Sequence, residues 1–498
     1  MIKEYKVSKY YGMNDSKDAS EVKGGEAALV ENFTLSIAGK LKRRDGLTLW
    51  GTDASTSPGL GLGHRIVGAT KTQFKVETTT IKSLSGGAWS NMSGAGATGL
   101  TTGLDMNFCS ANDYVYGFNG TDAVRKINDT AVTTVAGIPI GKWAVWWRNY
   151  LFVGGVAAYP SRIYFSNINT PETFSTSDYI DIEPGDGDWL TGAVGTSDKL
   201  TLSKKHSFHY LTGAGTNTFA VYPIPVDFGC PSYRALRKIG TDIWCIDTEG
   251  RIRSVYRNQY GLLAGKDLSS DYLQGTQDTI NKAALNKACS FFLNGLFGMA
   301  VPTGNSTVND TVLVYDLFAP IPDTYSKWVK FTGWNVACFD VMASSTQDTL
   351  YVQNNQNVSD VYYWGGNTDN GTVITGTWIG SNVADESPGI RKRNLYLKWF
   401  GFPLGNYNAD VYCSMDRSNF TLLGSLNLTD LGGVWGVFVW GVGVWGSVGT
   451  VMKKLHYSNN NGKVVSKYRQ IKLVYSSDSD APEIGTLVSY YKVLRFRL

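Results

Sequence analysis

Apolar and polar residues alternate in short runs along most of the chain, most clearly over residues 238–256, KIGTDIWCIDTEGRIRSVY. Ile239, Ile243 and Cys245 alternate with polar neighbours on one arm, and Ile252, Ser254 and Tyr256 alternate with Arg251, Arg253 and Val255 on the other. Alternation with a period of two predicts a β-hairpin. Thr248-Glu249-Gly250 makes the turn, with Gly250 supplying the positive φ that a three-residue loop needs. A single hairpin cannot bury its apolar face in water, so similar units must stack on it.

Such units are present on both sides. From about residue 59 an apolar strand leads to a polar turn and a second, aromatic-bearing strand, at a spacing of about 35 to 50 residues, the range of propellers and solenoids. FCSANDYVYGFNGTDAVRKIN, WAVWWRNYLFVGGVAAYPSRIYFSN and AVGTSDKLTLSKKHSFHYLTG share this grammar. Stacked as blades, small sheets of this kind bury both faces and leave only short edges. Residues 52–371 therefore predict a β-propeller of six or seven blades. The recurrence stops at GGNTDNG (365–371), and residues 372–498 carry longer strands such as IRKRNLYLKWF, NADVYCSMD and SKYRQIKLVYS. They predict a separate C-terminal β-sandwich. Residues 1–51 read as an N-terminal arm without a core of its own, with a helical turn at 26–31 and a hairpin about Gly39. Lys40, Lys42, Arg43 and Arg44 cluster there as candidate docking residues, either a solvated edge or a contact with an acidic partner or DNA phosphates.

Composition strengthens the all-β reading: 56 Gly, 28 Tyr, 21 Phe and 15 Trp stand beside only 18% charged residues, a mixture of strand and turn formers. With 46 Lys and Arg against 42 Asp and Glu, there is no dense basic stripe of the kind that grips nucleic acid. The six cysteines are far apart, contain no CxxC pair and sit in apolar strand contexts, which points to reduced, structural thiols and synthesis in a reducing cytoplasm. The opening MIKEYKVSKYYG lacks the apolar segment of a signal peptide.

Candidate chemistry is sparse. His206 and His209 are three apart, so on a strand they face opposite sides and cannot share a metal. Asp181, Glu183, Asp186 and Asp188 in DIEPGDGDW have the oxygen density of a cation loop but not the EF-hand pattern, and read as a solvated acidic turn. PGLGLGH (58–64) opens no helix and reads as a turn rather than a phosphate loop. The segment 414–420, SMDRSNF, is similar to a degraded Asp-box and reads as a hairpin turn held by Asp416. Nucleophile, base and orienting group appear at no recognisable spacing, so neither enzyme activity nor a metal or other cofactor is expected. The segment 432–449, GGVWGVFVWGVGVWGSVG, carries Trp435, Trp440 and Trp445 without a charge. It is too glycine-rich for a stable helix, and is expected to be covered by a neighbouring chain or to meet a membrane, with burial inside its own domain as the plain alternative.

Three stretches carry a resemblance: the opening GGEAALVENFTLSIAGKLKRRDGLTLWG, the middle KLTLSKKHSFHYLTGAG with FGCPSYRALRKIGTDIWCIDTEGRIRSV, and the closing KRNLYLKWFGFPLGNYNADVYCSMDRSNFTLLGSL with KYRQIKLVYSSDSDAPEIGTLVSYYKVLRFRL. In motif and order they resemble the propeller-bearing tail proteins of short-tailed bacteriophages, the tail nozzle, tubular tail hub and packaged-DNA stabilisation proteins. The resemblance covers most of the chain. It implies a structural virion component in the tail, a homo-oligomeric ring, expected to be a hexamer, below the portal and its adaptor (head-to-tail connector) ring. Such a ring extends the channel, helps retain packaged double-stranded DNA, lets it pass at ejection without reading its sequence, and meets distal tail proteins or fibres. The alternative expectation is a carbohydrate- or receptor-binding propeller whose exposed Trp and Tyr stack on sugar rings.

Overall fold

The computed structural model describes residues 2–35, 39–53, 57–356, 358–384, 390–401, 408–427, 451–457, 465–477 and 483–494. Trp435, Trp440 and Trp445 lie outside these residues, and so does the expectation attached to them.

The described residues form seven four-stranded blades. Six begin at the axis, with innermost strands Gly59–Val67, Asn107–Ala111, Trp143–Trp147, Leu190–Gly195, Arg237–Ile239 and Cys289–Leu293, and step outward through antiparallel neighbours. The seventh is composite. Strand Trp328–Met342 pairs with Asn309–Asp316 as the outer strand of blade six, then with Thr349–Asn354 as the innermost strand of blade seven. Gly333, at φ +84°, adopts a conformation that side-chain-bearing residues rarely reach, at the point where the strand passes from one blade to the next. Val361–Trp364 follows, and the outermost position is filled by Leu47–Leu49 from the N-terminal segment. The expected six or seven blades are thus seven, and the last is closed by the start of the chain.

The hairpin at residues 238–256 forms as its pattern predicts. Asp242–Ile246 pairs with Ile252–Arg257, and Gly250 sits at φ +81° in the turn. Ile243, Trp244, Cys245 and Ile246 are all buried, because neighbouring blades cover both faces of the sheet. At 59–67 the structure corrects the reading: GLGLGHRIV is a strand, not a turn. Its glycines answer to crowding, since a Cβ at Gly61 would lie 2.6 Å from the Met106 carbonyl and one at Gly63 2.7 Å from Phe74. All six cysteines are buried free thiols, and burial pushes those of Cys109 and Cys413 up to about 12.

The C-terminal sandwich is present but borrows strands from the N-terminus. One sheet places Thr372–Gly380, Arg469–Ser477, Asn408–Met415 and Thr421–Asn427 side by side, and the other contains Lys392–Gly401, Thr486–Val493 and Val451–His456. Ile2–Val7 pairs with Thr486–Val493, and Ala27–Glu31 with Thr372–Gly380. The expected helical turn at 26–31 is therefore a strand, fixed by its long-range partner. The hairpin about Gly39 does form, Phe33–Leu35 against Leu41–Arg43. Nor is the segment coreless: Tyr10, Met13, Ala27, Val30, Phe33 and Leu41 are fully buried in a hydrophobic cluster that spans blades four to seven and the sandwich. A single hydrogen-bonded sheet runs from blade six through blade seven, Leu47–Leu49 and Thr368–Asp369 into the sandwich.

Charge locks two junctions. Where blade seven meets blade one, Lys75 is fully buried 2.6 Å from Asp53 and 3.3 Å from Glu77, and Lys82 lies 3.0 Å from Asp53 and also pairs with Glu77. Burial works against the Asp53 charge, but the two lysines outweigh it and hold its carboxyl at about 2. Where the propeller meets the sandwich, Arg44 is 1% exposed, pairs with Asp369, and lies over the rings of Phe331 and Trp334 at 5.6 and 5.2 Å.

Candidate functional site

The seven innermost strands converge on an axis, and the link between blades four and five decides what that axis is. Here the segment Cys230-Pro231-Ser232-Tyr233-Arg234-Ala235 turns inward as a 3-10 turn, Tyr233–Ala235. The Ser232 hydroxyl donates to the Ala288 carbonyl at 2.7 Å. Tyr233 stacks on Trp143 at 6.0 Å between ring centroids and 9° between planes, and its hydroxyl donates to the Ala144 carbonyl. This anchorage aims Arg234 across the axis. Its Nη2 donates to the carbonyls of Leu60 and Met106, both at 2.8 Å, its Nε to Asn107 Oδ1 at 2.9 Å, and its Nη1 to the Ala337 carbonyl at 3.3 Å. One guanidinium from the link between blades four and five thereby ties together chain at blades one, two and seven. Burial opposes its charge, but Asp105 at 3.8 Å overrides that and raises its pKa above the ordinary arginine value.

Arg234 and Tyr233 together form a septum, with a cavity on either side of it. One, about 700 Å³, lies where the innermost strands begin and is rimmed by Lys142, Trp189, Lys205, Glu249, Lys282 and Lys287. The other, about 520 Å³, lies further along the same strands and is lined by His64, Ser110, Arg237, Ser290, Cys338 and Asp340. In it, His64 Nδ1 lies 2.8 and 2.9 Å from the two oxygens of Asp340, joining blade one to blade seven. Burial alone would lower the histidine pKa; the hydrogen bond and charge of Asp340 raise it above 6.5.

The residues singled out from sequence fall elsewhere. Arg43 and Arg44 are buried rather than presented for docking: Arg43 donates to the carbonyls of Asn367 and Ser477, and Arg44 belongs to the junction described above. Of the cluster, Lys42 is open, its side chain 46% exposed and 4.0 Å from Asp45, while Lys40 is half-buried. The four carboxylates of DIEPGDGDW are not a free acidic turn. Asp181 takes Arg162, Asp186 takes buried Lys204, Glu183 lies 3.3 Å from buried His209, and Asp188 accepts the backbone amides of Lys205 and His206. Asp181 braces blade three internally, and the other three fasten the segment after blade three to blade four. His206 is exposed and His209 buried, and among the described residues no group of three or more His, Cys, Asp or Glu is placed to hold a metal. Asp416, at φ +51° in its hairpin turn, does not hold that turn from within but ties it to a neighbouring segment, accepting the amides of Lys467 and Tyr468. Sequence reasoning missed Arg234, Arg237, His64 and Asp340; the visible signal was Pro231, which breaks the chain just before the inward turn.

Fold and axis together define a seven-bladed β-propeller with a septum on its axis, built in one piece with a β-sandwich. No protein-family model matches the chain, and no curated protein matches it. Solved structures do. The Dos1 propeller is 11% identical, with 67% of this chain and 92% of that one covered at a TM-score of 0.37. YCF48 bound to a D1 peptide is 10% identical, covering 64% and 99% at 0.39. An exo-β-1,3-galactanase from Phanerochaete chrysosporium with galactose is 11% identical, covering 90% and 100% at 0.28. At such identities and scores nothing about activity or partners transfers.

Proposed function

We propose that this chain is a structural subunit of a short-tailed phage tail, one copy in a ring, hexameric by its sequence resemblance, that continues the DNA channel below the portal and adaptor. The observation that carries the reading is the septum. Arg234 spans the propeller axis, so duplex DNA cannot thread a single subunit, and any DNA path runs between copies around a common axis. A solid block suits a channel wall: one sheet and one hydrophobic cluster join propeller to sandwich, with no independent linker between them. The near balance of charge fits a wall past which a polyanion slides, since each phosphate contact would add salt-dependent adhesion. In this reading the ring retains packaged DNA, releases it at ejection, and binds distal tail proteins or fibres on its other face.

Electron microscopy of the purified protein, with and without its adaptor ring, tests the proposal. A closed ring with an axial opening wide enough for duplex DNA is expected. A protein that stays monomeric with the adaptor present would overturn it. A second reading has one observation behind it: Trp189 is 48% exposed at the rim of the larger cavity, where an indole can stack on a sugar ring. Saturable glycan binding by the monomer, lost in Trp189→Ala, would favour a carbohydrate-binding propeller.

A further inference from the structure

The smaller axial cavity holds a cation with no carboxylate in contact with it. Arg237 opens the innermost strand of blade five and lines the cavity. Its Nη2 donates to the Ser290 carbonyl, its Nε reaches the Ser290 hydroxyl at 3.5 Å, and its Nη1 has no partner among the described residues. The carboxylates nearby are already engaged: Asp340 gives both oxygens to His64, and Asp105, across the septum, serves Arg234 and Lys287. Arg237 is half-buried, and its desolvation lowers its pKa, as expected of a guanidinium without a carboxylate in contact. Lys238 adds a second cation at the same cavity, and Ser110 a hydroxyl. Each of the seven blades contributes to the walls.

We infer that this cavity is a binding site for a small oxyanion ligand, a phosphate or a carboxylate, held by Arg237 with Lys238 beside it. At about 520 Å³ the space falls within the range of small-molecule sites. A guanidinium with a free N–H edge is suited to a planar or tetrahedral oxyanion, and a charge-assisted bond made away from bulk water is stronger than one at the surface. The site is independent of the tail-ring reading, because it lies within one subunit and would be occupied in monomer or ring alike.

Titration calorimetry of the full chain with inorganic phosphate and, separately, with citrate tests the inference. Saturable binding of at least one is expected, and the preferred probe assigns the phosphate or the carboxylate class. Arg237→Met should weaken that binding by about tenfold or more, the loss of one charge-assisted contact, whereas Arg257→Met, in the surface pair with Asp198, should leave it unchanged. A measurement on the unaltered protein guards against a variant that fails to fold. The chain has four histidines, and the probe should move the His64 imidazole resonances but not those of exposed His206. Absence of binding by both probes, or binding that leaves His64 unmoved, would overturn the inference.

Discussion

Replacing Arg234 with Met keeps most of the aliphatic stem and removes the head that bridges the axis. Three of its hydrogen bonds, to Leu60, Met106 and Asn107, measure 2.8, 2.8 and 2.9 Å, and the fourth, to Ala337, 3.3 Å. Hydrogen bonds to a charged group each contribute about 1.5–3 kcal/mol, so the short three could sum to more than about 5 kcal/mol. Cavities on both sides of the septum let water reach some of the abandoned acceptors, and Asp105 keeps Lys287 at 2.8 Å, which argues for a smaller loss of about 3–5 kcal/mol. Against a typical domain stability of about 5–15 kcal/mol this is a large fraction. Urea unfolding followed by tryptophan fluorescence should show the lower midpoint. Native-state hydrogen exchange should place the damage in Gly59–Val67 and Asn107–Ala111, the strands the arginine ties together. A loss below about 1 kcal/mol, the scale of a surface ion pair, with exchange unchanged, would refute the view of Arg234 as a keystone.

Two further outcomes follow from the same geometry. Because the folded-state pKa of His64 lies above 6.5, its pairing with Asp340 contributes fully below about pH 6.5 and is lost as pH rises through the raised value; the stability gap between the native protein and His64→Asn should therefore narrow from acidic to alkaline pH, and a gap that widens would contradict the pairing. Deleting residues 1–51 removes the outer strand of blade seven and two strands of the sandwich, so the truncated chain should be insoluble or rapidly cleaved in limited proteolysis, and a protease-resistant product with native circular dichroism would show that these strands are dispensable.

The legible parts of the fold are those set by neighbours in sequence. The hairpin at 238–256 follows from alternation and one glycine, and the same grammar makes the propeller visible. Distant partners account for what was hidden. The strand 27–31 follows no local helix or strand rule strongly; its pairing with Thr372–Gly380 decides it. Arg43 and Arg44 look like solvated charge because their acceptors, Asn367 and Asp369, lie more than 300 residues away. Three strands of blade seven are visible in one stretch, CFDVMASSTQDTLYVQNNQNVSDVYYWGG (338–366), but its outermost strand comes from the N-terminal segment and its innermost is half of a strand shared with blade six, so no local pattern announces how it closes. Arg234 is an ordinary arginine until seven blades bring backbone carbonyls to one point, and periodicity carries no trace of that convergence.

The way the last blade closes also sets the order in which the protein can be finished. Thr48 donates its side-chain hydroxyl to the carbonyl of Gly365, 317 residues later, and Tyr10 donates its own to Gly485, 475 residues later. At translation rates of about 5–20 residues per second, Leu47–Leu49 waits on the order of 15–60 s for its partner strand to leave the ribosome. Until that strand emerges, the blades already made present an open seam, with the apolar face of blade one that packs on blade seven uncovered. Long-range pairings of this kind are slow to form and leave the nascent chain open to association with its neighbours. Heterologous production should therefore depend on temperature and chaperone supply more steeply than the finished protein's stability would suggest. A circular permutant that begins at the rim of blade one, and so makes Leu47–Leu49 last, would trade one wait for another without removing it.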